Sequence, residues 1–348
     1  MSGAICRTPD VRGGAGVSGP RRFQILSLSG GGYLGLFTAS LLEKLEEASG
    51  GPLLRRFDLI AGTSVGGLLA LGLAAGKPAG ELRAAFEARG EAIFSSRPKP
   101  RGWFQERRDL ARSLRSAKYR PHALASAIDE MVGVETLMAD LEAPVIVPAV
   151  NLTKGAPQVF KTRHHPSFVR DPRLRVRDVA LATSAAPTFF PIHEIDGELF
   201  ADGGLFANAP DALAVHEAEH FLGAGIDTIH MLSLGTTSTS FSMARQTGLN
   251  LGALGWLQGQ RLPSVMIASQ QKVAEAMLGH RLSDRYVRID HGQSAEQQNS
   301  LALDVATTDA QSDLKGLAEG CARRALADQR IKAMLRHEAA QHLIPMEA

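Results

Sequence analysis

The sequence predicts an α/β fold in which a mostly parallel central sheet is flanked by helices. Two successive units in the first third of the chain, residues 23–45 and 57–75, are the basis of this prediction. Each unit joins a short apolar run, a glycine-rich turn and apolar residues at helical spacing. A repeated strand, glycine turn and helix is typical of parallel sheets with helices packed on their faces.

The elements of these two units follow from local patterns. Phe23–Leu28 is a mainly apolar run and predicts a buried strand. After Gly30–Gly32, apolar residues between positions 34 and 45 recur at helical spacing and predict a helix. In the second unit, Phe57–Ala61 predicts a strand and Leu68–Ala75 predicts the helix after the turn.

The rest of the chain continues this alternation. Strands are expected at residues 145–150, 199–202 and 228–234, and helices over most of 78–143, at 178–186 and at 210–222. From about residue 245 to 348 the pattern is mainly helical. Residues 1–20 are rich in Gly, Ser and Pro and predict a disordered tail, so a single domain is expected over residues 21–348.

Composition limits the class of protein. The chain has 348 residues, of which 44% are hydrophobic and 21% charged, as in ordinary globular proteins. A net charge of +2 argues against a protein that coats nucleic acid. The two cysteines, Cys6 and Cys321, exclude a disulfide framework and a four-cysteine zinc site, and they favour a reducing, cytoplasmic setting.

Neither a signal peptide nor a membrane span is predicted. Residues 1–20 lack the apolar segment that secretion requires. Residues 59–76 are uncharged and approach the length of a membrane span, but they contain five glycines together with Thr63 and Ser64. We interpret this stretch as a buried strand, a tight turn and a buried helix, and we expect a soluble, cytoplasmic protein.

The first glycine turn has more than one interpretation. Residues 30–35, Gly-Gly-Gly-Tyr-Leu-Gly, fit the G-x-G-x-x-G pattern of dinucleotide-binding turns. That function requires an acid at the end of the second strand, whereas Asp58 stands at its start. Alternatively, the glycines let backbone N–H groups of Gly30, Gly31 and Gly32 approach a carbonyl oxygen as an oxyanion hole. A tight turn without chemistry is the third interpretation.

The second glycine turn contains a candidate nucleophile. Gly62-Thr63-Ser64-Val65-Gly66 is a G-x-S-x-G sequence between an apolar strand and an apolar helix. In this setting the flanking glycines permit a strained turn that exposes the serine hydroxyl, and the helix N-terminus favours developing negative charge. The Val65 N–H is a possible additional oxyanion donor.

The candidate base is Asp202, in the sequence Ala201-Asp202-Gly203-Gly204. It ends a predicted strand, and Gly203 and Gly204 let the chain turn sharply beside it. A Ser-His-Asp triad is disfavoured because the later histidines lie on predicted regular elements, His230 on a strand and His216 and His220 on a helix. An ordinary Asp-Gly turn is the alternative interpretation.

Together these segments resemble the patatin-like phospholipases. The resemblance covers about residues 22–235 and includes Gly30–Gly32 with Gly35, Gly62-x-Ser64-x-Gly66 and Asp202-Gly203-Gly204, in the family's order. Residues 183–190 and 208–210 add further family-like segments. Leu34 departs from the pattern, because the family often has a basic residue there.

The resemblance implies a patatin-like three-layer fold and a Ser–Asp dyad without histidine. Ser64 would attack an acyl ester of a membrane phospholipid while Asp202 takes its proton. The amides of Gly30, Gly31 and Gly32 would bind the oxyanion, and water would release the acyl-enzyme. No metal or other cofactor is required on this account.

Within the family, the chain looks most similar to bacterial effectors of cyclic-oligonucleotide anti-phage signalling. That similarity implies activation by a cyclic dinucleotide, action at the inner membrane surface and a possible homo-oligomer. The basic segment 97–120 offers candidate nucleotide-binding residues, which are Arg107, Arg108, Arg112, Lys118 and Arg120. A solvated helix face, or contact with anionic lipid headgroups aided by Trp103 and Phe104, are the alternatives.

Two functions of other classes stay open at this point. His216-Glu217-Ala-Glu-His220 fits the H-E-x-x-H motif of zinc proteases, although no third ligand is evident. A catalytically idle nucleotide sensor, binding through the Gly30 turn and the arginine-rich segment, is the other alternative.

Overall fold

A computed structural model describes most of the chain. The described residues are 21–94, 117–237, 243, 250–252, 255–256, 261–294, 296–340 and 342–344. The expected N-terminal tail, residues 1–20, and the greater part of the basic segment 97–120 lie outside this range.

The centre of the described structure is an eight-stranded sheet. Its strands are β1 (Phe23–Leu28), β2 (Leu59–Gly62), β3 (Val145–Asn151), β4 (Ala156–Lys161), β5 (His193–Ile195), β6 (Glu198–Asp202), β7 (Ile229–Leu234) and β8 (Tyr286–Ile289). Their order is β5-β6-β3-β2-β1-β7-β8, and β4 also pairs with β3.

The sheet is mixed, with a parallel core and an antiparallel extension. Strands β3, β2, β1, β7 and β8 are mutually parallel, as the glycine-turn units predict. Strands β4 and β6 run antiparallel to β3, and β5 runs antiparallel to β6. The β5–β6 hairpin turns at Asp196 and Gly197, both of which have positive φ, as tight hairpin turns require.

Helices follow the strands in the order that the sequence pattern indicates. The helices of the described residues are α1 (Gly35–Ser49), α2 (Val65–Ala74), α3 (Ala79–Ile93), α4 (Pro121–Val132), α5 (Val176–Thr183), α6 (Gly204–Ala207), α7 (Asp211–His220), α8 (Arg261–Leu282), α9 (Gln297–Ser300), α10 (Thr308–Ala327) and α11 (Gln329–Leu335). The mainly helical C-terminal part therefore contains α8 to α11, interrupted by strand β8.

The helices form layers on both faces of the sheet. Alternate residues along β1 enter different cores, because successive side chains of a strand point to opposite faces. Leu26 and Leu28 pack with α1, α2 and α10, whereas Ile25 packs with α7 and the end of α8. The result is the predicted three-layer arrangement, with the sheet between the two helical layers.

Residues 59–76 form the strand, turn and helix expected from their glycines. Helix α2 is apolar and buried along its whole length, which explains why this segment has no charged residue. Within the described residues, no helix is both long enough and apolar enough to cross a membrane.

Candidate active site

Ser64 lies at a strained turn between β2 and α2. Its φ of 54° and ψ of −124° are unusual for a residue with a side chain. The turn is close-packed: a Cβ at Gly62 would lie 2.1 Å from the Gly66 carbonyl oxygen, and one at Gly66 would lie 2.3 Å from that of Leu28. Only glycine fits at these two positions, and the pair holds Ser64 at the end of the parallel core.

The backbone of Ser64 is tied to helix α5. Its amide donates to Thr183 Oγ1 over 3.0 Å, and Thr183 Oγ1 in turn donates to the Pro148 carbonyl over 2.6 Å. Thr183 belongs to the segment 183–190, and its contact with Ser64 was not anticipated from the sequence. This bond fixes the Ser64 amide on the side of α5, and the Ser64 hydroxyl lies on the side of the C-terminal end of β6.

Asp202 reaches Ser64 because β2 and β6 meet end to end beside β3. Strand β2 pairs with the first residues of β3, Val145 and Ile146. Strand β6 runs the opposite way and pairs with its later residues, ending where Asp202 lies opposite Ala149. Since β4 covers the other edge of β3, both strands share one edge, and their C-terminal ends face each other there.

The two side chains form a direct hydrogen bond. Ser64 Oγ donates to Asp202 Oδ2 over 2.7 Å, and the amide of Gly204 donates to Asp202 Oδ1, also over 2.7 Å. Asp202 is buried, and burial raises the pKa of its carboxyl to about 6, although both hydrogen bonds oppose the increase. A carboxylate with a pKa in this range accepts a proton more readily than an exposed aspartate does.

The glycines after Asp202 permit this close approach. A Cβ at Gly203 would lie 2.3 Å from the Pro148 carbonyl oxygen, so a side chain would push the turn away from β3. The amide of Gly204 is the donor to Asp202, and Gly204 begins the short helix α6. The turn after Asp202 therefore requires glycine at position 203, and the Gly204 amide holds the Asp202 carboxylate in place.

The glycine loop after β1 lies against Ser64. A methyl group on Gly30 would be 3.3 Å from Ser64 Cβ. The Gly30 amide donates to the Asn208 carbonyl over 2.9 Å, so this predicted oxyanion donor is already bonded within the protein. In the described part of the chain, the amides of Gly31 and Gly32 have no such acceptor, which leaves these two predicted donors free.

Two helix beginnings meet at this loop. A Cβ at Gly35, the first residue of α1, would lie 2.2 Å from Val65 Cγ2, at the start of α2. The close contact places the N-terminal ends of α1 and α2 side by side next to Ser64. Helix N-termini carry unpaired amides and partial positive charge, so both favour an anionic oxygen there.

Three remote side chains fix the glycine loop, and Asn208 is the one that lies in a segment noted as family-like in the sequence. Asn208 Nδ2 and Thr236 Oγ1 both donate to the Gly30 carbonyl, over 3.2 and 3.0 Å. The partly buried Arg288 donates to Ser29 Oγ over 3.2 Å and to Ser233 Oγ over 2.7 Å. These bonds join the C-terminal ends of β1, β7 and β8 directly beneath the loop.

Residues 301–306 cover the glycine loop from the other side. The Tyr33 amide donates to the Leu303 carbonyl over 2.7 Å, and a Cβ on Gly32 would be only 2.2 Å from that oxygen. The neighbouring Asp304 accepts from Lys118 Nζ over 2.6 Å and from the Tyr119 hydroxyl over 2.8 Å. This chain of contacts connects the end of the basic segment to the glycine loop.

The nucleotide-binding candidates are only partly covered by the structure. Arg107, Arg108 and Arg112 lie outside the described residues. Lys118 forms the ion pair with Asp304, so an anionic ligand would compete with that carboxylate. Arg120 is exposed just before the first residue of α4.

The zinc-protease motif does not form a metal site. The rings of His216 and His220 stack with centroids 5.3 Å apart on α7. Glu217 is buried, and it bonds instead to His164 Nε2 over 2.9 Å and to Lys161 Nζ over 2.6 Å. Among the described residues, no group of three or more His, Cys, Asp or Glu side chains could hold a metal ion.

Asp58 is a structural residue rather than a ribose ligand. It begins the second unit at the end of the sheet opposite Ser64, and it accepts hydrogen bonds from the amides of Gln24 and Ala340 and from His337 and His342. Burial raises the pKa of this carboxyl, but the four donors outweigh burial and hold the pKa well below its usual range. These contacts fix the C-terminal segment to the starts of the strands. Because both oxygens of Asp58 are bonded to protein groups, Asp58 is not the ribose-binding acid that a dinucleotide site requires.

Comparison with known proteins agrees with this geometry. A family model described as patatin-like phospholipase matches residues 26–215, which include both glycine turns, Ser64 and Asp202. The chain belongs to the patatin-like phospholipase family. It is therefore a hydrolase of the phospholipase class, and the predicted fold and enzyme class are confirmed.

Several bacterial relatives are similar over most of their length, and each is named a cGAMP-activated phospholipase. A protein of Pseudomonas aeruginosa is 40% identical over 325 residues, 93% of this chain and 95% of that one. A protein of Vibrio cholerae is 40% identical over 313 residues, 84% and 88% of the two chains. A third, from Escherichia coli, is 36% identical over 312 residues, 82% and 85% of the two chains.

If Asp202 is the catalytic base, its raised pKa predicts an acid limit to phospholipase activity. Below about pH 6 the carboxyl is protonated and cannot accept the serine proton, so activity should increase as the pH rises through this value and then level off. The measurement is kcat/KM for a soluble short-chain ester between pH 4.5 and 8.5, with circular dichroism to verify folding.

Asp171 provides the control for this profile. Burial also raises the pKa of its carboxyl to about 6, but its carboxylate bonds to the Lys161 amide on β4. The Asp171→Asn variant should therefore keep the acid limit. A wild-type profile that is flat down to pH 4.5, or an acid limit that disappears in Asp171→Asn, would contradict the assignment to Asp202.

Proposed function

We propose that this phospholipase cleaves acyl esters of membrane phospholipids with a Ser64–Asp202 dyad through an acyl-enzyme. The observation behind the proposal is the 2.7 Å hydrogen bond from Ser64 Oγ to a buried carboxylate at a strained turn. A serine hydroxyl needs an adjacent base to become nucleophilic at neutral pH, and Asp202 is the base within reach.

The first half of the reaction forms the acyl-enzyme. Ser64 Oγ attacks the ester carbonyl carbon while its proton moves to Asp202 Oδ2. The carbonyl oxygen becomes an oxyanion, which the free amides of Gly31 and Gly32 stabilise, with the Val65 amide as a third donor. One such donor contributes about 3 kcal/mol to transition-state stabilisation. When the carbonyl reforms, the protonated Asp202 gives its proton to the departing lysophospholipid alkoxide.

The second half releases the fatty acid. Water attacks the acyl-enzyme carbonyl and transfers a proton to Asp202, and the same amides stabilise the oxyanion. Collapse of this intermediate expels Ser64 Oγ, which takes the proton back from Asp202. In each half of the cycle the Asp202 carboxyl acts first as base and then as acid. We therefore propose that the reaction requires no metal or organic cofactor.

We further propose that cGAMP activates this enzyme in bacterial anti-phage defence, at the cytoplasmic face of the inner membrane. The support is that relatives 36–40% identical over most of both chains are named cGAMP-activated phospholipases. We assign nucleotide binding to the basic segment, whose Arg107, Arg108, Arg112, Lys118 and Arg120 would meet the two phosphates. Arginine and lysine donors suit such dianionic ligands.

The contacts around Asp304 offer a route from this ligand to the dyad. A nucleotide phosphate that draws Lys118 away from Asp304 would release residues 301–306. The Leu303 carbonyl would then leave the Tyr33 amide, next to the Gly31 and Gly32 donors. This proposed route begins at the Lys118–Asp304 ion pair and ends at the hydrogen bond from the Tyr33 amide to the Leu303 carbonyl.

The dyad predicts the outcome of two substitutions. Ser64→Ala removes the nucleophile and should abolish fatty-acid release from phospholipid vesicles. Asp202→Asn keeps the size of the side chain but cannot accept a proton, so release should fall about 10³-fold. Fatty acid is measured for wild type and both variants, each with and without cGAMP.

Ser184→Ala is the matched control for the nucleophile. Ser184 is buried close to Thr183, and its hydroxyl has no hydrogen-bond partner among the described residues, so its removal should leave release unchanged. Release that persists in Ser64→Ala would overturn the dyad. Fatty-acid release by wild type without cGAMP would support the hydrolase assignment but reject cGAMP as a required activator. Binding of cGAMP without any fatty-acid release would favour the nucleotide sensor.

The assignment of the activator site predicts a shift in cGAMP sensitivity. Arg120→Gln removes one charge-assisted donor and should raise the half-activating cGAMP concentration about tenfold, with little change in maximal activity. Arg175→Gln removes an exposed arginine that pairs with Glu135 and should have no such effect. Equal cGAMP sensitivity of both variants would reject Arg120 as a ligand.

A further inference from the structure

Helix α8 has an exposed apolar face. Leu262, Met266, Val273 and Met277 are 42%, 41%, 57% and 52% exposed. At about 100° per residue, these four positions fall within about 60° of one another around the helix. They form an apolar line along the solvent side, with the exposed Ser269 between Met266 and Val273, and we name these four residues the α8 stripe.

The opposite face of α8 is already packed. Gln271, Ala274, Leu278 and Leu282 are buried, and the last two belong to the core that α7 shares with the sheet. Helices on protein surfaces ordinarily expose polar residues on the side away from the core. Among the described residues, none of the four stripe side chains belongs to either core cluster, and an exposed apolar patch of this kind indicates an interaction surface.

The charges on α8 are mainly positive. Residues 261–282 contain three arginines and lysines, Arg261, Lys272 and Arg281, and a single acid, Glu275. Glu275 accepts from Lys272 over 2.7 Å and lies 3.0 Å from Arg288 Nε, and Arg281 donates to Glu219 over 2.9 Å, so two of the three cations are in ion pairs. Arg261 pairs with no acid among the described residues, so the stripe is an apolar surface on a helix of net positive charge, which suits an anionic lipid surface.

The stripe begins on the same side of the molecule as the dyad. The C-terminal end of α8 packs near the strand starts, with Leu282 in the core that contains Phe23 and Ile229. The helix therefore runs antiparallel to the parallel strands, and its first half lies towards their C-terminal ends. There Gln270 donates to the Leu205 carbonyl over 2.7 Å, three residues beyond Asp202.

We propose that the α8 stripe docks on the surface of a bilayer that contains anionic lipids and brings the dyad to its substrate. This inference rests on the proposed function, because it assumes that the esters cleaved are in a membrane. The scissile ester of a phospholipid lies at the boundary between headgroups and acyl chains. Apolar side chains at that depth, with cations at headgroup level, are the pattern of a helix that lies in the interface.

Binding is tested in the Ser64→Ala background, so that vesicles stay intact. Met266→Gln with Val273→Thr removes the centre of the stripe, and Val134→Thr with Val169→Thr removes apolar surface from two loops elsewhere. Sedimentation with phosphatidylglycerol–phosphatidylcholine vesicles measures the partition. The stripe variant should bind about tenfold more weakly, and the loop variant as strongly as its parent. Equal binding by both variants would overturn the proposal.

Activity of the same variants with Ser64 restored and cGAMP added separates this inference from the proposed function. The stripe variant should hydrolyse a soluble short-chain ester like wild type but release about tenfold less fatty acid from vesicles. If wild type hydrolyses neither substrate, the proposed function fails, and the vesicle-binding result still decides the docking surface. Loss of a dimer in size-exclusion chromatography, with unchanged vesicle binding, would assign the stripe to a second copy of the chain and overturn the proposal.

Discussion

The hydrogen bond between Ser64 and Asp202 joins parts of the chain that are 138 residues apart. It exists because β3 offers one edge to two strands, β2 and β6, which approach from opposite directions and end there. The glycines near the site allow these two strand ends to lie close together. Gly62 and Gly66 let the chain turn sharply after β2, and Gly203 allows β6 to end against Pro148. A side chain at any of these glycines would separate the two strand ends.

Buried aspartates in this protein show how local donors decide the charge of a carboxyl. Asp202 receives two hydrogen bonds, which lower its pKa, but burial raises the pKa by more, so the pKa is raised to about 6. Asp58 is also buried, but it receives hydrogen bonds from two amides and two histidines, and its pKa is lowered instead. A carboxylate with many donors is a stable structural anchor, whereas one with few donors keeps its tendency to accept a proton. Asp58 therefore fixes the C-terminal segment, and Asp202 is suited to base chemistry.

The sequence predicts those features that depend on neighbouring residues. The two strand, turn and helix units, the Ser64 turn and the Asp-Gly-Gly sequence all follow from short patterns, and the structure places these elements where they were expected. The direction of β6 was not predicted, although Asp196-Gly197 is a typical hairpin sequence that could have indicated it. The zinc motif is misleading for a related reason, because spacing alone does not show that Glu217 is buried against His164 and Lys161.

Other parts of the site could not be predicted because they depend on distant contacts. The amide of Gly30 bonds to Asn208, 178 residues along the chain, and Arg288 reaches Ser29 across 259 residues. Leu303 and Asp304 cover the glycine loop from a segment with no distinctive pattern. The pairing of β1, β7 and β8 brings Arg288 to Ser29, and the packing of loops from other parts of the chain brings Asn208 and Leu303 to the glycine loop. Of the three amides predicted as oxyanion donors, that of Gly30 is already bonded to the Asn208 carbonyl.

The central claim is that Asp202 activates Ser64 as the nucleophile. Covalent labelling of the enzyme with a fluorophosphonate in the presence of cGAMP, followed by peptide mass spectrometry, tests it most directly because the reagent reacts with activated serines whatever the lipid substrate. The account predicts one adduct, on Ser64, which forms far more slowly in Asp202→Asn than in wild type. An adduct on another serine, or equal labelling rates in the two proteins, would contradict it.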